Sequence, residues 1–256
     1  MDMGALLALA LVAALFGAGQ ARPPAVVRVA AASDLKFALD EVAATLARRT
    51  PPVRVEPTYG SSGSMHAQLR QRAPFDVYLS ADVEYPRDLV ARGIGSARDL
   101  FTYATGRLVV WAPTGSPLPI ERDGVRALER ASRIAIANPR HAPYGRAAEA
   151  VLRSAGLLER LRPRLVLAEN VAQAAQFAQS SAADAAIVAR SLAVNPALGA
   201  GRMWDVDPGL HPPLVQGGLI LPWARSRGAA EDVREYLLSA EGRRLLARHG
   251  FGLPES

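Results

Sequence analysis

The 256-residue sequence contains no cysteine. Disulfide cross-links are therefore excluded, and the fold must be held by its apolar core alone. A lipid anchor on an N-terminal cysteine is not expected either. Lysine is almost as scarce: Lys36 is the only one, so arginine carries nearly all of the positive charge behind the net +6. A basic chain suggests nucleic acid as a partner. Here the arginines (Arg48, Arg49, Arg70, Arg72, Arg130, Arg146, Arg153) are scattered through helical segments rather than packed with aromatics in one stripe. A solvated basic surface that can steer anions is the expectation, with no nucleic-acid partner. Nor is there an apolar run long enough to cross a membrane. Leu6 to Phe16 is unbroken but short, whereas a span needs about 20 apolar residues. With Gly19 and Ala21 at −3 and −1 positions and Arg22-Pro23-Pro24 following, residues 1–21 read as a secretory signal peptide. The n-region departs from the usual pattern, carrying Asp2 and no Lys or Arg.

What is present is a globular pattern, half of it hydrophobic, in which short apolar strands alternate with helical periodicity. Val26–Ala32, Val53–Tyr59, Asp76–Ser80, Leu108–Ala112, Ile134–Ala137, Leu165–Leu167, Ala185–Ala189 and Gly217–Leu221 read as strands. Leu35, Leu39, Val42 and Leu46 recur at helical spacing, and further helices are expected after residue 62, over 84–91, 125–130, 144–155 and 171–180. A last amphipathic helix is expected to run unbroken from Ala229 to Arg248. The fold class is therefore α/β.

Four helices are expected to begin directly after strands: at Ser33-Asp34, within Gly60-Ser61-Ser62-Gly63-Ser64, after Asn138 to Gly145, and at Val171 after Ala168-Glu169-Asn170. A helix start offers unpaired N–H groups and a positive dipole end, which together favour an anion. Serine hydroxyls add neutral donors, and glycine lets backbone approach a ligand closely. Taken singly, each is an ordinary N-cap or turn. Residues 60–64 also lack the Gly-Lys-Ser/Thr ending of a phosphate-binding P-loop. Two such junctions in each half of the chain carry more weight than any one.

Val29-Ala30-Ala31-Ala32-Ser33-Asp34-Leu35, Tyr59 to Ser64 and Ala73 to Asp82 resemble the molybdate-binding protein family, and so do Ala135 to Pro139, Ala142-Pro143-Tyr144-Gly145, Ala168 to Gln173 and Gly250-Phe251-Gly252. The blocks follow the family's order over nearly all of the mature chain. The resemblance implies a two-lobed type II periplasmic binding fold, each lobe a mixed, mostly parallel sheet flanked by helices, with the ligand in the cleft. It places lobe one at 25–104 plus 218–256 and lobe two at 105–217. It implies Ser33 and Ser62 as hydroxyl and backbone donors, Asp34 and Val171 as backbone N–H donors, and Tyr144 as a lobe-two donor. The Asp34 side chain is expected to turn away from a dianion. One branch of the family has an anion-binding tyrosine where this sequence has Ala189, so Tyr144 is expected to supply the phenol instead.

The resulting expectation is a soluble periplasmic receptor, a monomer without cofactor. It would capture molybdate or tungstate and deliver it to the membrane permease of an ABC transporter. Sulfate is the alternative cargo. A serine hydrolase built on Ser62 and His66 lacks the Gly-x-Ser-x-Gly elbow, and His141, His211 and His249 show no metal-ligand spacing. A regulatory ligand-sensing domain would need a helix-turn-helix, which the N-terminus does not offer.

Overall fold

The computed structural model describes residues 25–254, so the segment read as a signal peptide lies outside the described residues. Among the described residues, ten strands divide equally between two sheets. The first contains β1 (Ala25–Ala32), β2 (Val53–Gly60), β3 (Val77–Ser80), β4 (Leu100–Gly106) and β10 (Leu214–Ile220), in the order β2-β1-β3-β10-β4. The second contains β5 (Leu108–Pro113), β6 (Ile134–Ala137), β7 (Leu165–Ala168), β8 (Ala185–Ala189) and β9 (Gly201–Asp205), in the order β7-β6-β8-β5-β9.

Both sheets follow one plan. Three parallel strands (β2, β1, β3 and β7, β6, β8) are joined by a strand antiparallel to its neighbours, β10 in the first sheet and β5 in the second. β1 shows why its sequence is almost wholly apolar. Val27, Val29 and Ala31 face one core cluster, with Leu39 and Val42 of helix α1 (Lys36–Leu46), while Ala30 faces another, with Met65, Leu69, Tyr78 and Leu89. A strand covered on both faces cannot alternate apolar with polar. The second sheet has its own core, in which Val110, Ile136, Ile187 and Leu152 are fully buried. Ala32 and Ala81, at strand ends of the first sheet, pack into that second core.

The remaining longer helices are α2 (Ser62–Arg70), α3 (Glu84–Ala91), α4 (Pro143–Ser154), α5 (Val171–Gln179), α6 (Arg227–Leu238) and α7 (Ala240–Arg248). No helix among the described residues is long and apolar enough to cross a membrane. Three sequence expectations need correction. The helix expected over 229–248 is two helices: Ser239 is extended (φ −66°, ψ 162°), and its Oγ accepts from the Gly242 N–H at 3.1 Å to cap α7. Segment 125–130 winds as a 3-10 turn, Gly124–Arg130, not an α-helix. β4 and β9 were not anticipated, and the strand expected at Gly217 already begins at Leu214. The chain thus passes from the first sheet to the second at Gly106–Arg107 and returns between Asp205 and Leu214.

Candidate functional site: a closed cleft between the two sheets

Register decides where the helix starts fall. Ala32 pairs with Gly60, so β1 and β2 end level, and the segments that follow begin side by side. Ala137 pairs with Ala168 in the same way, setting the starts of α4 and α5 next to each other. Ser61 caps α2 by accepting from the Ser64 N–H at 3.3 Å, and Asn170 caps α5 by accepting from the Gln173 N–H at 3.0 Å. Pro143 opens α4 at a position that needs no donor. Carboxyl ends of parallel strands are where open α/β sheets bind ligands, and here two such ends face each other.

The cleft between them is shut. The Ala172 N–H donates to Ser33 Oγ at 3.3 Å, and Ser191 Oγ donates to the Asp34 carbonyl at 2.8 Å. The Gly63 N–H donates to the His141 carbonyl at 2.8 Å, and Ser61 Oγ lies 2.8 Å from His141 Nδ1. At the rim, Arg146 of α4 donates to Asp82 Oδ2 at 2.6 Å and to the Tyr85 hydroxyl at 3.0 Å. The Arg146 guanidinium also lies over the Tyr85 ring, 5.6 Å from its centre.

These contacts enclose a void about large enough for a water molecule or one compact ion. Ser33, Asp34, Ser62, Tyr144 and Val171 line it, together with Ser61, Ala81, Ala142 and Pro143. All five residues expected at the site are buried. Ser62 is held on both sides: its Oγ accepts from the Ala81 N–H at 3.0 Å and its carbonyl accepts from the Tyr78 hydroxyl at 2.7 Å. The N–H groups of Ser62, Tyr144 and Val171 have no hydrogen-bond partner among the described residues, as first-turn donors require of some outside acceptor.

Beneath the void lies a polar cluster that joins both sheets. Gln216 is fully buried at a bulge in β10, where the register to β4 shifts between Gln216 and Gly217. Its Oε1 accepts from the Tyr103 hydroxyl at 2.9 Å, so its Nε2 faces Asp34 Oδ2, to which it donates, and the Tyr144 oxygen 3.3 Å away. Burial pushes the Asp34 carboxyl up to about 6, while hydrogen bonds from Gln216 and the nearby Tyr144 hydroxyl oppose the rise. Burial, reinforced by the Asp34 charge, raises both tyrosine hydroxyls well above their usual value, so they stay protonated.

The bacterial extracellular solute-binding protein family matches residues 27–252. The chain is 32% identical over 235 residues to the molybdate-binding protein ModA of Rhodobacter capsulatus, covering 91% of each sequence. ModA of Azotobacter vinelandii is also 32% identical, over 89% of this chain and 90% of the relative. The structure of the periplasmic molybdate-binding protein of that organism superposes with a TM-score of 0.82, covering 90% of this chain and all of that one. The chain belongs to this family. The two-lobed α/β fold expected of it is the one observed.

Within this solute-binding protein the expected residues fall as follows. Ser33, Asp34 and Ser62 come from the first sheet's junctions, Tyr144 and Val171 from the second's, and all meet at the one void. The Tyr144 oxygen lies over Gly106, where the chain first crosses between sheets; a Cβ there would run into it. Ala189 is buried at the end of β8 opposite Leu108 and is not among the lining residues. His66 is turned to Asp88, 2.8 Å from Nε2, and Ser62 Oγ is taken up with the Ala81 N–H, so the two form no nucleophile–base pair. Sequence reasoning missed Gln216, Tyr103, Ser191 and His141. A glutamine beside Gly217-Gly218 in an apolar stretch was the available signal for Gln216. A larger cavity of about 870 Å³ lies behind the crossings, among Arg107, Leu108, Val206, Leu214 and Leu253, away from the helix starts.

Proposed function

We propose that this is a periplasmic solute-binding protein that captures molybdate or tungstate between its lobes and hands it to the membrane permease of an ABC importer. The lobes are those built on the two sheets, taken as 25–104 plus 218–256 and 105–217. The observation that carries the reading is the convergence of four strand-to-helix junctions, two from each sheet, on one small void whose lining includes Ser33, Ser61 and Ser62 and the first-turn residues Tyr144 and Val171. Kinship with molybdate-binding proteins selects the cargo. Ser33 and Ser62 act as hydroxyl donors, Val171 through its backbone N–H, Asp34 at the head of its turn, and Tyr144 from lobe two.

The physical logic is that of a preorganised donor cage. An ion stripped of water needs new partners, and charge-assisted hydrogen bonds of about 1.5–3 kcal/mol each supply them when aimed in advance. The action is binding without chemistry, since His66 serves Asp88 rather than Ser62. Sulfate offers the same acceptors on a smaller tetrahedron and is the alternative cargo. Isothermal calorimetry with molybdate, tungstate, sulfate and phosphate is the test. Heat and one-to-one stoichiometry with the first two are expected; no heat with any of the four would refute the reading.

A further inference from the structure

Asp34 is a poor neighbour for a doubly charged anion. It lines the void, is 1% exposed, and belongs to none of the ion pairs among the described residues. Oδ2 accepts from Gln216, whereas Oδ1 is buried with no hydrogen-bond partner among the described residues. Among the described residues, the groups packed around it offer no compensating charge. The Tyr103 and Tyr144 hydroxyls are neutral. Lys36, on the following helix, is half-exposed and tied to Asp40 at 3.0 Å. Arg190, on the short helix whose Ser191 touches the Asp34 carbonyl, is tied to Asp205 at 2.8 Å. Helix α5, which packs against the Ser33–Leu35 turn, carries no charged side chain.

We propose that Asp34 is the proton-bearing ligand of the site, so that a dianion and one proton enter the closed cleft together. The inference rests on the oxyanion reading above and deepens it. A carboxylate in contact with a dianion inside a water-poor cavity is a like-charge pair that one of the two must relieve. Protonation removes the charge and turns Oδ1, the one unpartnered oxygen, into an O–H donor. Gln216 holds the other oxygen and is itself held by Tyr103, which fixes the carboxyl at the floor of the site. Asp34 thereby selects among anions. A fully deprotonated oxyanion needs the proton on Asp34, whereas hydrogen phosphate brings its own and would be met by the ionised carboxylate.

The consequence is a linked equilibrium. Burial sets the carboxyl at about 6, so above that pH each dianion must draw a proton from solution. The apparent affinity then falls about fiftyfold between pH 6 and pH 8, towards tenfold per pH unit. Calorimetry of the full chain with molybdate, at pH 8 in two buffers of different ionisation enthalpy, counts the protons directly. About one proton taken up by the native protein and none by Asp34→Asn, whose affinity stays flat from pH 6 to 8, is the expected result. Tight molybdate binding by the native protein without proton uptake would overturn the proposal, as would uptake that persists in Asp34→Asn. The native measurement stands even if the variant fails to fold. Absence of heat with molybdate at every pH would instead sink the oxyanion reading, and this proposal with it.

Discussion

Arg146 offers a way to weaken the closed cleft without touching the void. It reaches from α4 to Asp82 Oδ2 at 2.6 Å and to the Tyr85 hydroxyl at 3.0 Å, both on the opposite lobe. Its side chain is 42% exposed and that of Asp82 26%, so solvent screens the pair in part. Fully exposed pairs give 0–1 kcal/mol and charge-assisted bonds shielded from water about 1.5–3. An intermediate value of about 1–2 kcal/mol follows for the latch. Because the latch exists only in the closed state, Arg146→Ala should lower ligand affinity roughly 5- to 30-fold. The loss should appear in the dissociation rate, since the latch forms after encounter. Stopped-flow and calorimetry with molybdate measure both. A double-mutant cycle with Asp82→Ala should return a coupling of about 1 kcal/mol, shrinking in high salt. An unchanged dissociation rate, or strict additivity with Asp82→Ala, would show that the bridge contributes nothing to closure.

Three further outcomes follow from the same geometry. Ser62→Ala strands the Ala81 N–H and removes a hydroxyl from the void, so it should weaken molybdate binding by roughly 1.5–3 kcal/mol and also lower the melting temperature; Ser33→Ala, which removes a hydroxyl from the void and the cleft-spanning bond to Ala172 but strands no N–H within its own lobe, should weaken binding with little change in melting temperature. Asp34 is held at about 6 against an ordinary 3.8, a raised value, so its contribution to stability is present below pH 4 and is lost as pH climbs through 6. Asp34→Asn should therefore stabilise the ligand-free protein at pH 8 by about 2–3 kcal/mol and by little at pH 4, measured by denaturation at both. Gly106→Ala would drive a methyl against the Tyr144 hydroxyl, with Gln216 Nε2 at 3.0 Å and Leu214 Cβ at 3.1 Å leaving no room to retreat. It should cost about 1–3 kcal/mol, visible as weaker binding when small-angle scattering shows the lobes opening; unaltered affinity would mean that Tyr144 moves freely.

What could be read in the sequence was local. Leu39, Val42 and Leu46 announce α1 because one helical stripe faces one core, and Val26 to Ala32 announces a buried strand because both its faces are covered. The junctions at Ser33, Ser62, Tyr144 and Val171 were legible because a helix start is a chain-local event. What escaped depends on distant partners. Gln216 interrupts an apolar strand, and it is tolerable in the core only because Tyr103, Tyr144 and Asp34, the last 182 residues away, satisfy it. β9 is a half-exposed edge, Gly-Arg-Met-Trp-Asp, whose pattern names no buried face. His141 accepts from the Gly63 N–H across the cleft through its backbone carbonyl, a role that side-chain identity cannot announce. The break at Ser239 was hidden because α6 and α7 share an apolar stripe, and only the cap on Gly242 separates them.

The arrangement separates two tasks that a receptor has to adjust independently. On the proposed reading recognition sits on short, fully buried groups at the ends of central strands, where register holds each group in place and a small movement is costly. Closure strength sits on a rim of partly exposed contacts, Arg146 to Asp82 and Tyr85 and Gly63 to His141, none of which is made by a residue that lines the void. Substitution at the rim therefore shifts the balance between open and closed lobes for every ligand alike, whereas substitution at Ser33, Ser62 or Asp34 shifts one ligand against another. Asp34 is where the two tasks meet. The residue lines the void, its carbonyl receives Ser191 across the cleft, and on the proposed reading its protonation sets both the charge a ligand meets and the stability of the protein that closes on it.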